Sequence, residues 1–174
     1  MEKEVVESTT EIVEVGKENN LALTEAQKLG LTEVNFDLFE EDKKKRLTTF
    51  NMENEEEADI VLNTLQEQAE HKINDEINKE ITVVNFIVSA IPETNTNLET
   101  GEVITRIKHT LVLFDDKGER HATGSNSCYM SFAQIFKLKG KPTKEKPLIV
   151  IPIKTPAKQE GHTYLKLKVK STNK

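Results

Sequence analysis

The sequence predicts an α+β chain, mainly β, in which an acidic helical N-terminal region precedes a basic β-domain. Three observations carry that expectation. Charge is divided by position: residues 1–80 hold 22 acids and 9 bases (net −13), whereas residues 81–174 hold 8 acids and 15 bases (net +7), within an overall −6. The apolar period changes from helical to strand-like near residue 80. Beyond it, five strand-like runs are separated by turn residues, with one helical pattern between the third and the fourth.

Taken in order, residues 1–20 mix Glu, Val, Thr and Asn without an apolar stripe. They read as a disordered acidic tail, with too little apolar surface to offset the entropy of ordering. Residues 21–80 read as helical. Thr24 can cap the run TEAQKL, and Gly30 supplies the left-handed residue that ends it. Asp37–Met52 carries Leu38, Phe39, Leu47 and Phe50 around Lys43-Lys44-Lys45-Arg46, and reads as partly helical. That basic run sits beside Glu40, Glu41 and Asp42, so it reads as a solvated face rather than a nucleic-acid patch. Asn54 followed by Glu55-Glu56-Glu57 is a stronger start, because the amide caps and the carboxylates meet the positive end of the helix dipole. Ala58, Val61, Leu62, Leu65 and Ala69 then share one face, and Ile73 and Ile77 extend the stripe toward residue 80, with a break near His71.

Residues 81–91 are apolar on both parities, as in a strand buried on two sides. PETNTNLETGE (92–102) reads as a loop. In 103–114 Arg106 and Lys108 share one face, and Ile107, Leu111 and Leu113 the other. Asp115-Asp116-Lys117-Gly118 reads as a hairpin turn into a short strand at 119–123. After the Gly124–Ser127 break, Tyr129, Phe132, Ala133 and Phe136 predict a helix of about three turns, with Phe132 and Phe136 in the core. A lysine-rich loop (137–147) leads to a strand at 148–154, where Pro152 requires an edge or a bulge. In the last strand Leu165, Leu167 and Val169 alternate with Tyr164, Lys166, Lys168 and Lys170. Strand, strand, strand, helix, strand, strand over residues 81–170 is the order of the OB-fold, a small five-stranded Greek-key barrel.

Enzyme chemistry is poorly represented. GSNSC at 124–128 lacks the pattern of a nucleophile elbow, and neither a phosphate-binding loop nor a dinucleotide fingerprint is present. His71, His109, His121 and His162 are scattered without metal spacing, and the single Cys128 excludes an internal disulfide, so no cofactor or metal is expected. No run approaches the ~20 apolar residues of a membrane span, and the acidic N-terminus is unlike a signal peptide. A cytoplasmic protein is expected. A single-strand site needs cations along the phosphates and rings on which bases stack. The cation candidates are Arg106, Lys108, Lys117, Arg120, Lys154, Lys158, Lys166 and Lys168; the ring candidates are Phe86, Phe114, Tyr129 and Tyr164.

The stretches ADIVLNTLQEQAE, INDEINKEITVVNFIV, ETGEVITRIKHTLVLFDDKGERHATGSNSCYMSFAQIFKLKGKPT and GHTYLKLKV resemble a group of small single-stranded DNA-binding proteins of phages and mobile elements of Gram-positive bacteria. The resemblance covers about residues 55–170. Its most specific pieces are INKEI, the DDKG turn and GKPT. It implies an OB-fold protein without enzymatic activity that coats single strands during replication or transfer, in the host cytoplasm if phage-encoded, with replication proteins as further partners. Two features depart from the pattern. Aromatic residues are only 5% with no tryptophan, and the chain ends in basic STNK where such proteins typically carry an acidic, partner-recruiting tail. The alternative from another class is a protein-interaction module on the same barrel.

Overall fold

The computed structural model describes residues 25–34, 45–98, 100–157 and 162–170. Its elements run α1 (Glu25–Lys28), β1 (Thr32–Glu33), β2 (Lys45–Thr48), α2 (Glu55–Gln66), β3 (His71–Lys72), β4 (Ile81–Thr96), β5 (Val103–Asp115), β6 (Arg120–Thr123), α3 (Asn126–Lys139), β7 (Leu148–Pro156) and β8 (Thr163–Val169). The chain is thus mixed α+β and mostly strand. The expected tail, Thr24 and Asp37–Lys44 lie outside the described residues.

Local signals account for the helix ends. Gly30 closes α1 at φ +71°, its N–H donating to Gln27 O at 2.9 Å. Asn54 Oδ1 caps α2 by accepting the Glu57 N–H at 3.1 Å, while Glu57 Oε2 reaches back to accept the Asn51 N–H at 2.6 Å. Ser125 Oγ accepts the Cys128 N–H at 3.3 Å and Gly140 ends α3 at φ +81°.

Four local expectations are corrected. The described part of Asp37–Met52 includes strand β2, because its β-branched and apolar residues meet an open edge of β4: Thr48 stands opposite Ile87 and Arg46 opposite Ser89. Helix α2 stops at Gln66 instead of running toward 80. His71 and Lys72 leave it to pair parallel with His121 and Ala122 of β6, and Ile73 enters the core in a 3₁₀ turn. Leu62 is exposed, and Thr64 takes its place on the buried face. Finally, Pro92–Thr96 are strand: they pair with Val103–Ile107 in a long ribbon, and Pro92 is tolerated because among the described residues the second edge of β4 is unpaired beyond Ala90.

Strand β4 organises the sheet. It pairs antiparallel with β5 along one edge, and along the other first with β7 (Ile81–Val83) and then with β2. A bulge between Val83 and Asn85 resets its alternation. Ile81 and Val83 before it, and Phe86 and Val88 after it, therefore face the same side. There they join Leu111, Leu113, Val150 and Leu167 beneath Cys128, Phe132, Ile135 and Phe136 of α3. Phe86 meets Phe132 and Phe136 edge-on, at centroid separations of 4.9 and 5.1 Å. The opposite side presents Ile87 and Phe114 to Val61 of α2, with Phe50 and Val34 completing a second, smaller core.

Among the described residues β6 and β8 do not pair, so the sheet stays open where a barrel would close. Both edges are occupied otherwise. β3 takes the free edge of β6. The free edge of β8 is met by hydroxyls of α3: Ser127 Oγ donates to Leu165 O at 2.8 Å, and Ser131 Oγ accepts the Leu167 N–H at 2.8 Å while donating to Cys128 O. Leu167 lies opposite Pro152, which has no N–H to offer the ladder, so the polar groups of Leu167 turn toward the helix. Pro152 is itself at an edge as expected, with Asn78 N–H donating to its carbonyl at 2.8 Å.

Replacing Ser131 by Ala removes the acceptor for a half-buried amide. An unfolding free energy lower by about 1–3 kcal/mol is expected in urea titration, with faster hydrogen exchange at Leu167. Unchanged stability and exchange would show that the hydroxyl bridge contributes nothing.

Candidate nucleic-acid interface

Register sorts the charged side chains by face. Pairing of Lys108 with Ile91, of Lys166 with Ile153 and of Lys168 with Ile151 puts Arg106, Lys108, Tyr164, Lys166 and Lys168 on the side of the sheet opposite α3. All five are exposed, and Tyr164 keeps 49% of its surface. Lys166 and Lys168 form no ion pair among the described residues. They flank the half-buried Ile151 and Ile153, so their stems cover an apolar strip while the ammonium groups reach water. Arg106 stands opposite Glu93, which offsets part of its charge. Lys170 is held by Glu80 at 2.8 Å.

Other sequence-derived candidates are placed elsewhere. Phe86 and Phe114 are core residues, 2% and 4% exposed, with no ring face left for a base. Alternation had put Phe114 on the charged face of its strand; the structure covers that face with α2 and sets Phe114 edge-on to Phe50 at 4.8 Å. Arg120 is on the cationic side but is bound by Glu67 (3.0 Å) and by Glu70, and so is neutralised. Tyr129 is half-buried and stacks on His109, centroids 4.1 Å apart and planes 8° from parallel, while His109 Nδ1 lies 2.9 Å from Asn126 Oδ1. Lys117 sits in the β5–β6 turn beside Asp115 and Asp116, and Lys154 shares the parity of the core residues of β7. Lys158 lies outside the described residues. The GSNSC run serves the start of α3, and burial pushes the Cys128 thiol up to about 12, far from a nucleophilic thiolate.

Two grooves flank α2. One, of about 570 Å³, is lined by Glu56, Glu57, Asp115 and Asp116 together with Lys117, Lys144 and the already paired Arg120, a mixed and slightly acidic setting. The other, of about 510 Å³, runs between the C-terminal end of α2 and the sheet, over a floor of Ile87, Ser89, Ile91, Thr110 and Val112 with Lys72 and His71 at its rim. Its floor continues along the register to Lys108.

One cluster was not foreseen. The β5–β6 turn brings Asp115, Glu119 and His121 together, with their potential ligand atoms within 4.8 Å of one another, beside His71. The signal was D-x₃-E-x-H across a hairpin turn, invisible until the turn fixes which side each residue faces.

Comparison with protein-family models, curated proteins and solved structures found no match. Fold and surface define a mixed α+β protein with an open sheet and a cationic strip on one face. Among the described residues no helix is long and apolar enough to cross a membrane.

The Arg120 guanidinium, bonded to Glu70, holds that carboxyl down at about 2, below its ordinary 4.5. The folded value being the lower, the stabilisation is full above about pH 4.5 and is lost as pH falls toward 2. Glu70→Gln should therefore flatten the acid limb of stability in that window, as measured by thermal unfolding from pH 2 to 7. An unaltered limb would show that the pair is screened by solvent.

Proposed function

We propose that the protein is a non-enzymatic, sequence-tolerant single-stranded DNA-binding protein of the OB type that coats strands during phage or mobile-element replication. The observation that carries this reading is the exposed row Tyr164, Lys166 and Lys168 on β8, on the same side of the sheet as Arg106 and Lys108. Alternate residues of a strand lie about 6.6 Å apart. That spacing lets successive ammonium groups follow an extended phosphate chain while one ring stacks on a base. The pairing order β6-β5-β4-β7-β8, with a helix between β6 and β7, supports the OB assignment in all ladders but the closing one. The sequence resemblance to small phage and mobile-element proteins supports the same class. With Phe86, Phe114 and Tyr129 engaged inside the protein, stacking is modest and phosphate neutralisation supplies most of the affinity.

Titration of labelled oligo-dT and a matching duplex across a salt series tests this. Preferential binding to the single strand is expected, with a log–log salt slope that falls by about 0.7 per lysine, hence about 1.4 in Lys166→Ala/Lys168→Ala. Tyr164→Ala should weaken binding by about 1–3 kcal/mol. Equal or absent binding to both DNAs contradicts the proposal.

A second reading, docking of a replication or host protein, draws on the exposed apolar residues Leu98, Val103 and Ile107 near the tip of the β4–β5 ribbon. Capture that survives nuclease treatment and is lost in Val103→Ser/Ile107→Ser would favour it.

A further inference from the structure

His121 is almost fully buried, its side chain 6% exposed, yet its Nε2 has no hydrogen-bond partner among the described residues. Burying an unsatisfied polar atom costs free energy, so this nitrogen calls for a physical reason. Its other nitrogen, Nδ1, lies 2.6 Å from Glu76 Oε2. A carboxylate accepts only, so Nδ1 carries the proton and, in the neutral ring, Nε2 presents its lone pair. That lone pair faces Asp115 Oδ2 at 3.5 Å, too far and ill-placed for a hydrogen bond. Asp115 is itself pre-set. Its Oδ1 accepts the N–H groups of Lys117 (2.9 Å) and Glu119 (2.8 Å), so the turn fixes the carboxylate and leaves Oδ2 turned inward. Glu119 completes the group from the solvent side, with Oε2 3.1 Å from His71 Nε2.

From this geometry we propose that Asp115 Oδ2, Glu119 and His121 Nε2 form a binding site for a divalent first-row transition ion of the zinc type. His71 borders the site, stacked on His121 with ring centroids 4.8 Å apart and in contact with Glu119. With metal–ligand bonds of about 2.1 Å, neighbouring ligand atoms of a tetrahedral site stand about 3.4 Å apart. The His121–Asp115 separation of 3.5 Å already has that value. Glu119, whose ligand oxygen lies within 4.8 Å of the other two ligand atoms, must close by up to about 1.4 Å to join them, a shift its exposed side chain can make. The Glu76–His121 contact supplies the outer carboxylate that orients metal-binding histidines and raises their basicity. One imidazole with two carboxylates selects zinc or cobalt over magnesium and calcium, which prefer oxygen alone. A cation there would also give the orphaned Nε2 a partner. The nearest guanidinium, Arg120, points to the other face and is occupied by Glu67 and Glu70. Bound there, the ion would pin the end of β5 and the β5–β6 turn to β6, beside β3 at the sheet edge that a barrel would have closed.

The test uses the chelator-stripped full chain. Cobalt(II) should give a visible d–d absorption saturating at one ion per chain, which zinc then abolishes, and zinc but not magnesium should raise Tm. Asp115→Asn keeps an oxygen for both turn hydrogen bonds but removes the ligand oxygen. That variant and Glu119→Gln should each weaken cobalt binding tenfold or more, whereas His162→Ala leaves it unchanged. Absence of the band and of a zinc-induced Tm shift would overturn the proposal, as would equal affinity in wild type, Asp115→Asn and Glu119→Gln.

Discussion

The rest of the structure depends on β4 being buried on both faces. Its run VVNFIVSAI offers apolar side chains at odd and even positions, and such a strand must be covered twice. The bulge at Val83–Asn85 decides which residue goes where: Phe86 and Val88 to α3, Ile87 to α2. It also ends pairing with β7, and threonines take over on that edge. Thr49 Oγ1 accepts the Phe86 N–H at 2.9 Å, and Thr48 Oγ1 donates to Phe86 O at 3.1 Å. Without the segment around residue 50 this stretch of backbone would be left unsatisfied.

That requirement also places part of the negative charge. The described acidic stretch from Glu55 to Glu70 is built into the fold, since α2 lays Val61 on the sheet while Glu55 and Glu56 of its first turn lie exposed and Glu67 and Glu70 beyond it bind Arg120. An acidic helix over the centre of a face forces the free cations to its margins, on β8 and at the start of the β5 ribbon. The +7 excess thus becomes a strip bordered by negative charge. A bordered strip favours a flexible single strand, which can bend along it, over a stiff duplex, whose phosphates would approach the carboxylates of α2.

Much of this was legible in sequence, and the misses share a cause. Asn54, Ser125, Gly30 and the DDKG turn act through contacts a few residues away, and the starts, ends and turn they mark fall where expected. The strict alternation of β8 placed Tyr164, Lys166 and Lys168 outward because one face of that strand has one partner. Phe86 and Phe114 were misjudged as base platforms because sequence shows parity but not what covers a face; α3 covers Phe86, and α2, far away in the chain, covers Phe114. Arg120 was counted as a free cation because Glu67 and Glu70 lie about fifty positions upstream. Closure of the barrel failed for a similar reason: His71 and Lys72 read as helix, yet occupy the edge of β6.

The central claim is that a single strand lies along the side of the sheet opposite α3, over β8 and the base of the ribbon. Backbone amide chemical-shift mapping of the isotope-labelled full chain with unlabelled oligo-dT addresses it directly. Shifts concentrated at Tyr164–Lys168 and Arg106–Lys108, with Phe132–Phe136 of α3 unmoved, are the predicted outcome. Shifts confined to α3 or to the acidic groove beside α2, or none at saturating DNA, would contradict it.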